Sequence, residues 1–136
     1  MATKICILTQ SHLCRNPRVV KEANSLAKAG FDVTILTTFT FADLLVEDLK
    51  LIHPDIKYKG IINMIPGESS KLYILKHRII RRIAGELIGR FNFENIQALG
   101  YDYKTNLNAA IRENADLYTC HQEMSTVIGC KLIDKG

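Results

Sequence analysis

The sequence predicts an α/β protein: one Rossmann-like domain of three layers, with helices on both faces of a doubly wound parallel sheet. Strand-like runs alternate with helical patterns along the 136 residues, and short connections join them. The first run, Lys4 to Thr9, reads as a continuous apolar strand, which is typical of a strand buried on both faces. The length suits one domain over residues 1–136 and leaves no room for a second.

The first 38 residues predict a strand–helix–strand unit. Asn16 is expected to cap the helix, and Pro17 suits its first position because the missing N–H would have no helical partner there. Gly30 is expected to end the helix in the left-handed conformation. The second strand, Asp32 to Thr38, is rich in β-branched residues, and the crossover rule makes it parallel to the first.

The same alternation continues to the end of the chain. Further helices are predicted over 41–51, 72–91, 103–114 and 125–134, and further strands over 56–65 and 116–120. The apolar side of the helix over 41–51 is expected to comprise Leu44, Leu45, Leu49 and Ile52.

Composition points to a cytoplasmic protein. The net charge of +4 is compatible with anionic ligands without identifying one. The four cysteines show neither a CxxC pair nor metal-type spacing, so buried, reduced thiols are expected. The apolar run at the N-terminus is too short for a signal peptide, and no apolar stretch approaches the ~20 residues of a membrane span.

The loop after the first strand excludes several nucleotide-binding classes. Thr9 to Ala29 contains no glycine, whereas a P-loop or a dinucleotide fingerprint needs glycines so that backbone amides can approach a phosphate. A receiver domain would need paired acidic residues after the first strand, and the sequence there is Thr-Gln-Ser-His.

Polar side chains follow the first and last predicted strands, in the segments Gln10 to Arg15 and Cys120 to Glu123. Ligands of open α/β sheets bind at the carboxyl ends of the strands, so both segments are expected on one rim. Their hydroxyl, amide and imidazole groups suit a polyol such as a sugar, and Ser11, His12 and Gln122 are therefore candidate acceptor-binding residues.

Charged and reactive groups in the same segments leave several interpretations open. Arg15 and Arg18 flank a helix N-terminus, where they form either a site for phosphate or carboxylate or a solvated pair. In the first case both are candidate acceptor-binding residues. A metal site of His12, Cys14, Cys120 and His121 lacks any supporting local spacing, and no metal is expected. A Cys14–His121 nucleophile pair lacks a residue that would orient the histidine.

The helix over 72–91 is strongly basic. Leu72, Leu75, Ile79, Ile83 and Leu87 form an apolar stripe at helical spacing, and residues 68–90 hold seven basic or histidine residues against two glutamates. The helix is either an ordinary domain helix with a solvated basic face or a surface for anionic lipid headgroups. In the second case the candidate membrane-facing residues are Lys76, Arg78, Arg81 and Arg82. Nucleic acid is not expected, since no aromatic platform accompanies the charges.

Two blocks of the sequence resemble the group 1 (family four) glycosyltransferases. The first runs from Ile5 to Leu36 and includes Asn-Pro-Arg-Val-Val-Lys-Glu-Ala, similar to the family's "DPRV-x-KEA". The second, Ala115 to Gln122, is similar to "ADVVHAHD". The middle of the chain resembles the family weakly.

The resemblance implies the N-terminal, acceptor-side half of a two-domain GT-B fold. Such enzymes retain anomeric configuration, need no metal and use a nucleotide sugar as substrate, which the C-terminal domain mostly binds. This chain is therefore expected to be inactive alone and to act with a C-terminal domain in carbohydrate or lipopolysaccharide biosynthesis, in the cytoplasm or peripherally on the inner face of the membrane.

The resemblance also implies roles for two residues. His121 matches the second histidine of the motif and is carried over as the residue that faces the donor sugar. Gln122 stands where the family has its aspartate, so that role is vacant or falls to Glu123. His121 and Glu123 are therefore the candidate catalytic residues.

Two other functions stay open. The domain could be a stand-alone sugar- or partner-binding module without catalysis, or a small cytosolic hydrolase that uses His121 and Glu123.

Overall fold

The computed structural model describes residues 2–134. Its strands are β1 (Lys4–Leu8), β2 (Asp32–Phe39), β3 (Lys57–Asn63) and β4 (Leu117–Cys120). Its helices are α1 (Pro17–Lys28), α2 (Ala42–Leu51), α3 (Lys71–Phe91), α4 (Tyr103–Glu113) and α5 (Glu123–Ile133), with 3₁₀ turns at Leu13–Arg15 and Ile96–Ala98.

The four strands form one sheet in the order β3-β2-β1-β4, and every neighbouring pair is parallel. This confirms the α/β class and the parallel sheet that the alternating pattern predicts. The chain moves outward from β1 to β3 and then returns to the other side of β1 as β4. A crevice opens at such a reversal, at the carboxyl ends of the two strands, here β1 and β4.

Helices cover both faces of the sheet. On one face Ile7 packs with Val19 and Ala23 of α1. On the other, Leu8 packs with Ala110 of α4 and with α5. Successive side chains of a strand point to opposite faces, so the two neighbours Ile7 and Leu8 anchor two separate cores. β1 is thus buried on both sides, as its apolar run predicts.

Helix α1 begins and ends close to the predicted residues. Pro17 occupies its first position, and Gly30 follows its end with φ +88°, as predicted. A Cβ at Gly30 would have open space, so the positive φ is what favours glycine there. The Asn16 side chain makes no capping hydrogen bond, contrary to prediction; its backbone carbonyl accepts from Val19 and Val20 instead.

Helix α2 buries a carboxylate rather than the predicted leucine. Leu44 and Leu45 are half-buried, but Leu49 is exposed and Asp48 is completely buried. The prediction for Leu49 is wrong because hydrogen bonds to the Asp48 carboxylate, described below, offset the cost of burying that charge.

Helix α3 turns most of its predicted apolar stripe away from the domain. Ile74, His77 and Ala84 are buried, whereas Leu72, Leu75, Ile79 and Ile83 are exposed. A helix with apolar residues around most of its circumference offers two candidate faces, and periodicity alone does not select one. No helix within residues 2–134 combines the length and hydropathy that a bilayer span needs.

The cysteines are all free but unequally buried. Cys6 is fully buried in β1, where desolvation, with a smaller contribution from Glu113, raises its pKa to about 12. Cys14 and Cys120 are half-buried, and Cys130 is exposed on α5. The expectation of buried thiols therefore fails for Cys130, because that turn of α5 faces solvent.

Candidate functional site

A cleft of about 370 Å³ lies at the carboxyl ends of β1 and β4. Gln10, Ser11, His12 and Arg15 line it from the first loop, Gln122 and Glu123 from the segment after β4, and Arg81 and Tyr101 from α3 and the loop after it. The prediction that the two polar segments share one rim of the sheet is confirmed. The third wall, from α3 and residues 99–101, was not predicted.

Gln122 joins the two segments. Its Oε1 accepts hydrogen bonds from the Gln10 backbone N–H at 2.7 Å and from the Thr9 hydroxyl at 3.2 Å. Since the backbone N–H can only donate, the amide oxygen faces the protein and the amide NH₂ is the group left for a ligand. Gln122 also has φ +75° immediately before α5. Such a backbone conformation costs a non-glycine residue on the order of 1–3 kcal/mol and is often found at binding sites.

Gly100 permits close packing at the third wall. A Cβ on Gly100 would lie 2.7 Å from Met124 Sδ and 3.2 Å from Gln10 Oε1. A side chain there would displace the Met124 or Gln10 side chain or the loop itself, so glycine permits this close approach.

His12 is held by hydrogen bonds to both of its ring nitrogens, from α2 and from the residues that follow β2. The ring is 2% exposed, and its Nε2 lies 3.0 Å and 3.2 Å from the backbone N–H groups of Thr40 and Phe41. Nε2 must therefore accept, which assigns the ring proton to Nδ1, 2.7 Å from Asp48 Oδ2. Both ring nitrogens of this predicted acceptor ligand are thus used by the protein itself.

Asp48 organises this network and was not predicted as a functional residue. Its carboxylate accepts from Nδ1 of His12, from the Cys14 backbone N–H at 2.7 Å and from the Tyr58 hydroxyl at 2.8 Å. Burial alone would raise the pKa of Asp48, but these hydrogen bonds outweigh it and the pKa lies below its ordinary value. Burial, followed by the same carboxylate, raises the pKa of Tyr58.

His121 also pairs with a carboxylate, but outside the cleft lining. Its Nε2 lies 2.7 Å from Glu22 Oε2, with the two side chains 23% and 29% exposed. Its backbone N–H donates to Leu8, which continues the pairing of β1 and β4. Glu22 belongs to the first block that resembles the glycosyltransferases and His121 to the second, so the fold brings the two blocks into contact.

Glu123 lines the cleft from the first turn of α5. Within residues 2–134 no hydrogen bond or ion pair joins it to His121, whose ring is engaged with Glu22. The acid–base pair that the hydrolase interpretation requires is therefore not assembled in this conformation.

Two arginines line the cleft from different elements. The Arg15 guanidinium lies 5.8 Å from the centroid of the Phe41 ring, and the Arg81 guanidinium lies 4.9 Å from that of Tyr101. Neither forms an ion pair with a carboxylate of the described residues. Arg18, grouped with Arg15 in the sequence, is exposed on α1 and does not line the cleft.

Cys14 is not placed as an activated nucleophile. Burial, followed by the hydrogen bond and charge of Asp48, raises the pKa of its thiol and disfavours the thiolate. Across the described part of the chain, no three histidine, cysteine, aspartate or glutamate side chains are grouped as a metal site requires.

The sequence carried a usable signal for one missed residue. Asp48 follows Leu44 by four positions and so lies on the apolar face of α2, where an unpaired carboxylate would be costly. A carboxylate on the apolar face of a helix indicates that hydrogen-bond donors lie beside it in the core. Glu22 carries no comparable signal because its partner lies 99 positions away, and Tyr101 carries none because it lies in an irregular loop.

Comparisons with protein families, with curated proteins and with solved structures find no match to this chain. The fold and the cleft therefore define the class on their own: an α/β domain with a polar cleft, carrying two arginines, at the reversal point of a parallel sheet.

Proposed function

We propose that this domain is the acceptor-side half of a retaining GT-B glycosyltransferase of the group 1 type. In this proposal it takes part in moving a sugar from a nucleotide-sugar donor to a saccharide, lipid-linked or small-molecule acceptor. The observation that carries the proposal is the cleft at the carboxyl ends of β1 and β4, which presents amide, hydroxyl, guanidinium and aromatic groups together. Hydrogen-bonding groups beside aromatic rings suit a polyol substrate.

The residues divide into ligand-facing and supporting groups. Ser11, Arg15 and the amide NH₂ of Gln122 contact the acceptor, and Glu123 is the cleft carboxylate available as a base. His121 faces the donor at the flank of the cleft, oriented by Glu22 in the way that a carboxylate fixes the tautomer of a catalytic imidazole. The reaction needs no resident metal, as the resemblance implies.

Two predicted acceptor ligands receive other roles in this proposal. His12 holds the first loop in place instead of binding the acceptor, because both of its ring nitrogens already have hydrogen-bond partners within the protein. Arg18 is a solvated residue of α1.

The decisive experiment is a transfer assay with the chain expressed together with whatever its gene encodes after Gly136. We expect an α/β domain with an E-x7-E motif there, and transfer from a labelled nucleotide sugar that His121→Ala abolishes. A gene that ends at Gly136, with a product that binds sugars without turnover, would favour the stand-alone binding module.

Calorimetry with residues 1–136 alone tests the division of labour. We expect weak or undetectable binding of nucleotide sugars, because the donor belongs mainly to the other domain. Tight donor binding to this chain would contradict the assignment, and ester or glycoside hydrolysis lost in His121→Ala would favour the hydrolase.

The outer face of α3 supports a second part of the proposal: contact with an anionic membrane surface. Leu72 is 78% exposed and Leu75, Ile79 and Ile83 are 54%, 47% and 55% exposed, so the stripe opposite the buried face is apolar. The exposed basic residues beside it are Lys71, Lys76, Arg78 and Arg82. An apolar stripe bordered by cations is the pattern that binds anionic lipid headgroups.

Vesicle sedimentation tests this contact. Binding to vesicles of phosphatidylcholine with phosphatidylglycerol is expected to exceed binding to phosphatidylcholine alone. Lys76→Gln combined with Arg82→Gln should lower it roughly thirtyfold, since each cation near such a surface contributes about 1 kcal/mol and the two together about 2 kcal/mol. Lys21→Gln combined with Lys28→Gln on α1 is the matched charge control, since both residues are exposed there. Self-association without vesicle binding would assign the stripe to a protein interface instead.

A further inference from the structure

We infer that the cleft binds a phosphate monoester between Arg15 and Arg81. The identity of the ligand as the acceptor rests on the proposed function; the phosphate site itself rests only on the geometry of the cleft. Neither the resemblance nor the sequence pattern pairs these two arginines.

The two guanidiniums reach the cleft from separate parts of the fold. Arg15 ends the 3₁₀ turn after β1, and Arg81 lies midway along α3. Their neighbours Arg18 and Arg82 are exposed, as Arg15 and Arg81 are, but they are absent from the cleft lining. Arg81 therefore separates from the other basic residues of α3, which border the outer stripe.

Each guanidinium lies over an aromatic ring rather than against a carboxylate. The Phe41 and Tyr101 rings lie 5.8 Å and 4.9 Å from the respective guanidinium carbons. A cation over a ring face is held in place while its N–H groups stay free to donate. In the part of the chain that the structure describes, no carboxylate pairs with either arginine.

The charge of the lining is unbalanced in favour of an anion. Arg15 and Arg81 contribute two positive charges and Glu123 one negative charge, while His12 is engaged with the buried Asp48 carboxylate. The 11-residue helix α5 also begins at the cleft and adds the positive partial charge of its N-terminus. The two arginines therefore contribute most of the excess positive charge of the cleft lining.

A phosphate monoester fits this charge better than a neutral sugar or a single carboxylate. It carries close to two negative charges at neutral pH and three acceptor oxygens. Two forked guanidiniums can engage it through charge-assisted hydrogen bonds from two sides. The neighbouring hydroxyl of Ser11 and the Gln122 amide then meet the sugar part.

Titration calorimetry of the 136-residue chain tests this inference, with glucose 6-phosphate as probe and glucose as its uncharged counterpart. Glucose 6-phosphate is expected to bind at least tenfold more tightly than glucose. Arg15→Gln and Arg81→Gln should each weaken binding about tenfold, whereas the adjacent controls Arg18→Gln and Arg82→Gln should change it less than twofold. Equal affinities for the two probes, or equal effects of all four variants, would overturn the inference.

A uridine diphosphate arm distinguishes the acceptor phosphate from the donor diphosphate. Uridine diphosphate should bind more weakly than glucose 6-phosphate. Tighter binding that depends on Arg15 and Arg81 would make the cleft a donor site and reject the inference.

The transfer assay separates this inference from the proposed function. Sugar transfer without arginine-dependent phosphate binding would reject the inferred phosphate site and leave the proposed function standing. Arginine-dependent phosphate binding without sugar transfer would reject the glycosyltransferase proposal and leave the inferred phosphate site standing.

Discussion

His12 and His121 follow neighbouring strands, and each lies 2.7 Å from a carboxylate oxygen, yet their environments differ. His12 and Asp48 are 2% and 0% exposed, and every polar atom of the ring is bonded. The side chains of His121 and Glu22 are 23% and 29% exposed, and only Nε2 of His121 has a protein partner among the described residues.

The difference teaches that strand-end position identifies neither a structural nor a catalytic histidine. A ring whose two nitrogens are satisfied internally has no proton to exchange with a ligand. A ring with one nitrogen oriented by a carboxylate and the other uncommitted has the arrangement that acid–base chemistry uses. The two pairs should therefore respond in opposite ways to mutation.

The largest expected effect is the loss of stability in Asp48→Ala. This variant leaves the Cys14 N–H and the side chains of His12 and Tyr58 without their shared buried acceptor, and the cost should be about 3–5 kcal/mol of unfolding free energy. Urea unfolding followed by circular dichroism measures it. The control is Asp55→Ala, since the Asp55 side chain is 83% exposed; equal losses in the two variants would contradict the role given to Asp48.

Low pH should remove the stabilisation by the Asp48 carboxylate in the unmutated chain. The pKa of Asp48 in the folded chain lies below the ordinary value of an aspartate, about 3.9. The ionised carboxylate therefore stabilises the fold fully above that ordinary pKa, and this stabilisation is lost as the pH falls through the lower folded-state pKa. The stability gap between the native chain and Asp48→Asn should therefore narrow in that acid range, by up to about 1.4 kcal/mol per pH unit. A gap that widens towards acid would reverse the assigned sign.

The smallest stability effect is expected at the second pair. His121→Ala and Glu22→Gln should each cost less than about 1 kcal/mol, because a partly exposed ion pair contributes little. In the transfer assay the order should invert: His121→Ala abolishes activity, and Glu22→Gln lowers kcat by about tenfold with an altered pH profile. A stability loss in either variant as large as that of Asp48→Ala would contradict the distinction between the buried His12–Asp48 pair and the partly exposed His121–Glu22 pair.

Much of the fold could be predicted from local signals. The apolar run of β1, Pro17 at the start of α1 and the positive φ of Gly30 each reflect short-range physics, and the structure places them as predicted. The absence of glycine after β1 likewise excluded phosphate-loop chemistry. The shared rim followed from one further rule, that the carboxyl ends of parallel strands lie at one edge.

Other features could not be read from local patterns. The outward stripe of α3 has the same periodicity as a buried one, so only its neighbours reveal its orientation. Asn16 has the residue type of a cap but makes no capping hydrogen bond. Arg81 was grouped with the basic residues around it, and the ring of Tyr101 places it apart from them.

By itself the sequence determined which segments become strands and helices, and in what order polar groups follow the strands, because these depend on residues within a few positions of each other. The tertiary structure alone decided which carboxylate each histidine receives, since the partners lie 36 and 99 positions apart along the chain. It also decided that one buried histidine is locked and that two distant arginines border a single cleft. Contacts of that range depend on how the helices pack on the sheet, and no periodicity in the sequence records them.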